Sequence, residues 1–558
     1  MTDPDLVAEV AYFRSALDGT EQGAGLCGPA TVPGGEALPL IVELQPGSIL
    51  DLEGTLADGR RHLTLLGEPA VWLRPGGRGP GTVFQGSGAI DVMEAIEAAA
   101  ERYPIDRDRI SLFGFSMGGA GVWYLASHYP DRFAAAAPLG GYNDYRLWRR
   151  PGGMTFPLPP WEEPSWRARS AALLLDNLRH VGIWMVHGAW DRAVGGGVDI
   201  EHARQSARLL DDLEIPYRIT ELAATGHDSS FMAEPFFGDV LRWLIAHRRP
   251  AEPARVTFRT GELQHGAAYW MQIEQLETSG RAAAVDARAD PGEVTVVTEN
   301  VRHLVVRPPR LVTASARLVV DGTEIAGADL TGPIGVRRAG GSWAVADLEP
   351  PAGEKRPVAS GPFGALFHRR TVLAVGTGGT AEETFFLDWA AHDAEHFFRS
   401  SNGGVHRGGI AGESWMGFPI MTDVDWLDHE SSLAPAPGAN VIAYGTMETN
   451  AILGALADRL PVAIGRGWVR VGTRTFEGDG IGLIAVVAHP DRTGRHLAIH
   501  GGTSPDAITS GAHLNWQLLP DYLVYDAGSV LEWGFFDNEW NSVPASAPTT
   551  QEEPWVKP

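Results

Sequence analysis

Ser116 stands between glycines in Gly114-Phe115-Ser116-Met117-Gly118, after the apolar run 110–113 and ahead of a helical pattern. Between a strand and a helix, this spacing forms a turn so tight that side chains two before and two after the serine collide, so both must be glycine. The turn lifts the hydroxyl clear of the sheet and sets a helix N-terminus beneath it, where backbone N–H groups stabilise negative charge. A serine held that way attacks an acyl carbon and needs a base and an acid, each just past a later strand, in the order Ser, Asp/Glu, His. GIWMVHGAWDRAV supplies Asp191 beyond a strand that ends near His187, and YRITELAATGHDSSF supplies His227 beyond the next. His227 takes the serine proton and returns it to the leaving group, while Asp191 orients the imidazole and stabilises its charged form. Asp199 is a rival acid and His187 a rival base. Asp191 also fits a helix N-cap, and Asp228 reads as a cap or a solvated charge.

An oxyanion formed at Ser116 needs two donors. One is the backbone N–H of Met117; the other belongs in the loop after 38–44, Gln45-Pro46-Gly47-Ser48. Pro46 has no N–H, which leaves Gly47 ahead of Gln45. The segment 140–166 lies between two strands, where a lid sits, and carries Tyr142, Trp148, Phe156, Trp161 and Trp166. Tyr142, Trp148 and, beside the acid, Trp190 are the expected substrate-binding residues. The same aromatics would serve equally as a cover for the sheet.

The elements that must position these residues follow from patterning. Apolar runs at 38–44, 70–73, 110–113, 133–138, 182–186 and 217–222 read as buried strands, with amphipathic stretches such as 90–100 and 202–213 between them. That alternation predicts an α/β unit, a parallel sheet covered on both faces, over 1–250. The texture changes at RRPAEPARV, 248–256. Alternating runs (VTFRTGEL, AAYWMQIEQL, EVTVVTENV, HLVVRP, ARLVVDG) then predict a small antiparallel, sandwich-like β domain over 253–350. Strand–helix alternation returns after 350–364. TVLAVGTGGTAEETFFLDWAAHDAEHFF and NVIAYGTMETNAILGALADRL form a weak internal repeat, so 355–545 reads as a second, smaller α/β domain. Residues 546–558 read as a loose tail.

Composition narrows the function classes. At 558 residues the chain exceeds one core. A net charge of −24 excludes nucleic acid and anionic membrane as natural partners. The lone Cys27 excludes an intramolecular disulfide and a thiolate cluster. No apolar run approaches the ~18 residues of a membrane span. The N-terminal residues lack the basic start and apolar core of a secretory signal, so the expected location is cytoplasmic. No cofactor is expected, the partner is a small-molecule or peptide substrate, and a homo-oligomer is an open expectation.

The stretch GSGAIDVMEAIEAAAERYPIDRDRISLFGFSMGGAGVWYLASHYPDRFAAAAPLGG resembles the α/β-hydrolases of the prolyl-oligopeptidase and esterase superfamily. HGAWDRAV is similar to their acid loop and ATGHD to their histidine loop. The resemblance spans about 70–245 and carries the roles of nucleophile, acid and base onto Ser116, Asp191 and His227. The later regions are similar to multidomain bacterial members of the prolyl-oligopeptidase family. Two departures stand out: Gln45-Pro46 replaces the usual His-Gly of the oxyanion loop, and no β-propeller precedes the hydrolase unit. The resemblance implies a serine hydrolase; the expected substrate is a carboxylic ester or an amide, with a prolyl-oligopeptidase-family peptidase and, on the Gln45-Pro46 replacement, a catalytically inactive hydrolase-fold binding or scaffold protein as alternatives. Ester cleavage leads because it asks less of leaving-group protonation and nothing resembles a clamp for a peptide terminus.

Two other motifs compete. His392-Asp393-Ala394-Glu395-His396 matches an inverted zinc-protease pattern, yet no motif supplies a third ligand, so no metal site is expected. Gly376-Thr377-Gly378-Gly379-Thr380 follows a strand and opens a helix, as a phosphate cradle does, but a tight turn accounts for it.

Overall fold

The computed structural model describes residues 5–45, 52–148, 159–192, 197–401, 416–428, 438–527 and 529–544. The expected tail, 546–558, and Gly47 lie outside the described residues.

The first region is one eight-stranded sheet: β1 (Leu6–Arg14), β2 (Glu21–Pro29), β3 (Leu38–Leu44), β4 (Val71–Pro75), β5 (Ile105–Phe115), β6 (Ala135–Leu139), β7 (Gly182–Gly188) and β8 (Arg218–Leu222). Its spatial order is β1-β2-β4-β3-β5-β6-β7-β8. The strands β3 to β8 run parallel, and β2 pairs antiparallel with both of its neighbours, β1 and β4. The central strands β3, β4 and β6 are buried along their whole length, as strands covered on both faces must be. Helices α1 (Leu52–Leu66) and α7 (Phe236–Ala246) pack on one face through Leu63, Phe237 and Leu241. Helices α2 (Ser87–Arg102), α3 (Met117–His128) and α6 (Glu201–Asp212) cover the other through Val92, Val122 and Leu210. Two short helices, α4 (Tyr145–Trp148) and α5 (Glu163–Arg169), lie in the segment between β6 and β7.

Residues 255–346 form two five-stranded sheets around one apolar core. They are antiparallel except for one pair: Glu293–Val296 runs parallel to Arg317–Val320. That pair departs from the purely antiparallel expectation, because between the two strands the chain passes through Val301–Val306 in the other sheet before returning.

A third core lies in a mixed sheet of eight strands. Thr371–Val375, flanked by Ile420–Thr422 and Asn440–Tyr444, runs parallel with both. The two copies of the sequence repeat are therefore neighbouring strand–turn–helix units. His496–Gly502 continues the parallel set, and the remaining strands pair antiparallel.

This C-terminal α/β region is seated on the first. One apolar cluster joins Leu17, Ile90 and Trp161 to Phe363, Leu366, Phe398 and Trp516. Another joins Met117, Tyr142, Trp166 and Val198 to Leu518. Arg169, at the end of α5, binds Glu262 through Nε at 3.3 Å and the carbonyl of Gln517 through an η-nitrogen at 3.2 Å, so one guanidinium touches all three regions.

Candidate active site

The residues singled out at the C-terminal ends of β5, β7 and β8 converge. Ser116 sits between β5 and α3 at φ 57°, a left-handed conformation that non-glycine residues rarely adopt. Its N–H donates to Leu139 O at 2.8 Å and its carbonyl accepts from Ala120 N–H at 3.0 Å, so both neighbouring elements hold the strained turn. The flanking glycines are required by space. A Cβ on Gly114 would lie 2.6 Å from Leu44 O, and one on Gly118 would lie 1.8 Å from the same oxygen. The end of β3 therefore presses directly on the start of α3.

Ser116 Oγ–H donates to His227 Nε2 at 2.7 Å, and His227 Nδ1–H donates to Asp191 Oδ2 at 2.7 Å. The carboxylate can only accept, which places the neutral imidazole's proton on Nδ1 and leaves Nε2 free to take the serine proton. Phe115 lies against the His227 ring, with centroids 4.8 Å apart, and Phe231 packs on Phe115 at 4.9 Å. Asp191 is buried, and its other oxygen accepts Val198 N–H at 2.9 Å. Burial pushes its carboxyl up, but hydrogen bonds from His187 and His227 outweigh that and hold it below the ordinary carboxylate value.

The rivals take other positions. Asp199 accepts Glu201 N–H at 3.0 Å at the start of α6. His187 is buried beside Asp191 and does not reach the serine. Asp228 caps the turn Ser229–Met232 by accepting Ser230 N–H at 2.9 Å.

The Met117 N–H opens α3, where helical N–H groups have no partner within the helix, so it is positioned for an oxyanion. Gly47, the expected second donor, lies outside the described residues. The chain leaves β3 at Gln45 beside Gly118, next to the serine.

The expected aromatic wall needs correction. Tyr142 is only 3% exposed and packs edge-on to Tyr145 beside Met117; apolar burial against α3 wins over exposure to a cleft. Trp166 is likewise buried against Tyr145. Trp148 ends α4. Trp190 is open, at 68% exposure, and its backbone N–H donates to Thr225 O at 2.9 Å, tying the acid loop to the histidine loop. Sequence reasoning missed Phe231, although its place four residues after His227 signals a packing partner. It also missed Val198 N–H, a backbone donor that no residue type reveals.

Elsewhere, His392 is exposed, with Nδ1 facing Asp388 O at 2.9 Å. Among the described residues no three His, Cys, Asp or Glu side chains converge as a metal site. In the Gly376–Thr380 turn, the N–H groups of Gly376, Thr377, Gly378 and Thr380 go to Tyr444 O, Asp423, Thr449 O and Glu383, which leaves no cradle for a phosphate.

The strand order, the strained serine and the relay define the first region as an α/β-hydrolase domain of the serine-hydrolase class. Residues 93–237, which include Ser116, Asp191 and His227, match the Esterase family model, described as "Putative esterase". A relative from Arthroderma benhamiae, named "Uncharacterized secreted protein", is 27% identical over 215 residues, 36% of this chain. The match spans only 22% of that relative's length. Beside that name, the cytoplasmic location stays a sequence-based expectation. No helix among the described residues is long and apolar enough to cross a membrane. Among solved structures, the S-formylglutathione hydrolase of Agrobacterium tumefaciens is 16% identical, with TM-score 0.35, covering 44% of this chain and 96% of that one. A thermostable esterase is 21% identical, with TM-score 0.34, covering 44% and 64%. The Pyrococcus horikoshii acylaminoacyl peptidase is 17% identical, with TM-score 0.36, covering 44% and 43%.

Proposed function

We propose that the protein hydrolyses a carboxylic ester through an acyl-enzyme on Ser116. The observation that carries this reading is the unbroken relay from Ser116 Oγ through His227 to Asp191, two bonds of 2.7 Å ending on a buried carboxylate. Ser116 Oγ adds to the acyl carbon as its proton passes to His227 Nε2. The carbonyl oxygen becomes an oxyanion at the N-terminus of α3, where the Met117 N–H stabilises it. Asp191 stabilises the imidazolium. Collapse breaks the acyl–oxygen bond, and the proton on Nε2 leaves with the alcohol. Water then repeats the sequence, giving its proton to His227 and its oxygen to the acyl carbon. The carboxylic acid departs and the proton returns to Ser116.

The Esterase family match over the triad supports an ester over an amide, and so does the lighter demand of an alkoxide leaving group. The test is intact-mass labelling with a fluorophosphonate, followed by a panel of p-nitrophenyl esters and p-nitroanilides. One adduct on the wild type, none on Ser116→Ala, and turnover of the esters alone are expected. Labelling with turnover only of anilides would transfer the reading to a peptidase. An unlabelled, inactive wild type would end the hydrolase reading.

A further inference from the structure

Asp191 is held by more than its bond to His227. His187, the last residue but one of β7, is 2% exposed and directs Nε2 at two acceptors: Val198 O at 2.9 Å and Asp191 Oδ2 at 3.4 Å. Neither can donate, so Nε2 carries the proton and shares it, mainly with the carbonyl and more loosely with the carboxylate. Val198 in turn donates its N–H to Asp191 Oδ1 at 2.9 Å. The three residues close a ring: His187 to Val198 O, Val198 N–H to Oδ1, and Oδ2 back to His187. The ring is tight at Gly197, where a Cβ would lie 2.3 Å from Asp191 Oδ1.

We propose that His187 is a positioning residue for hydrolysis, a second imidazole donor that fixes the Asp191 carboxylate and draws the far end of the acid loop onto it. This rests on the ester-hydrolase reading of the same site. His187 does not touch Ser116 or His227; it acts through Asp191. Part of the carboxylate's charge is spent on His187, which tempers its hold on the His227 imidazolium. Other charged groups face the pair. Glu221 stands opposite His187 on β8 and is bound by Arg204. His202 and Asp199 approach from α6 and the loop before it, with Asp144 behind His202. Asp228 lies beside His227, and Arg192 bonds the Asp191 carbonyl. None of these supplies a further proton to Asp191 Oδ2.

The experiment compares His187→Leu, which removes the donor, with His187→Gln, which keeps an N–H at a similar reach. Both are assayed with p-nitrophenyl acetate across pH. The wild type must first turn this probe over and Ser116→Ala must not; failure there overturns the parent reading and not this one. With His187→Leu, kcat falls about tenfold. The acid limb of kcat/KM moves up by about half a pH unit, because an undiluted carboxylate raises the basicity of His227. His187→Gln restores most of kcat and returns the limb toward wild type. An unmoved or lowered limb, or a Gln variant no better than Leu, overturns the proposal. Should His187→Leu fail to fold, ¹⁵N NMR of the wild-type imidazoles, assigned against His187→Gln, decides. A protonated Nε2 on His187 is expected, and a bare Nε2 sinks the proposal.

Discussion

Two strand-to-helix turns in this molecule are built alike and end differently. At the first, β5 runs into α3 through Ser116, and at the second Thr371–Val375 runs toward the helix Ala381–Ser401 through Gly376–Thr380. Both depend on glycine. A Cβ at Gly118 would meet Leu44 O at 1.8 Å, and one at Gly376 would meet Thr449 O at 2.5 Å. The first turn projects a hydroxyl outward, and two later loops bring a base and an acid to it. The second turn folds inward onto Asp423, which is buried and accepts Thr377 N–H at 3.1 Å, the Thr377 hydroxyl at 2.8 Å and Ala451 N–H at 2.6 Å. The carboxylate that could have been a functional group satisfies the turn's own donors. A tight turn alone thus makes no active site; convergence of side chains from other strand ends does.

The comparison breaks most sharply on activity. Ser116→Ala lowers kcat for an ester by on the order of 10⁶-fold. Asp423→Asn leaves kcat of the folded protein unchanged and lowers its melting temperature; steady-state kinetics and thermal melts separate the two. Gly118→Ala pushes β3 from α3, costing at least about 3 kcal/mol in denaturant titration, and it removes activity. Gly376→Ala costs stability alone. Arg169→Met strips the buried Glu262 of its cation and lowers stability by roughly 3 kcal/mol, while fluorophosphonate labelling of Ser116 in the folded fraction persists.

The smallest effect is one of pH. Burial pulls His202, near the site, down to about 4, and His500, in the C-terminal sheet, to about 3. Unfolded, each gains a proton near pH 6.5. The folded forms refuse it until well below, so the stability they contribute is full above about pH 6.5 and drains away as pH falls toward 4 and 3. Melting temperatures measured from pH 7 to 4 fall accordingly, and fall less steeply in His500→Gln.

The relay was legible in the sequence because each member follows an apolar run and the serine wears its glycines. Strands 38–44 and 182–186 were equally plain, being mostly Leu, Ile, Val, Trp and Met, with only Pro39, Glu43 and Gly182 among them. The β1–β2 hairpin was not, since β2 carries Gly23, Gly25 and Gly28 where bulky residues mark a strand. His496–Gly502, in the middle of the C-terminal sheet, hid behind two histidines and two glycines. The burial of Tyr142 was illegible for another reason. An aromatic in a lid packs inward or faces a cleft according to what covers it, and here Leu518, hundreds of residues later, takes part in the cover.

That late cover has a consequence for synthesis. Leu17, Ile90 and Trp161 are complete on the growing chain long before Phe363, Leu366, Phe398 and Trp516, the residues they share a cluster with, have been made. At ordinary translation rates the gap lasts tens of seconds, roughly 10 to 70. Through that interval the nascent hydrolase unit carries these apolar side chains without the cover that the last third of the polypeptide brings.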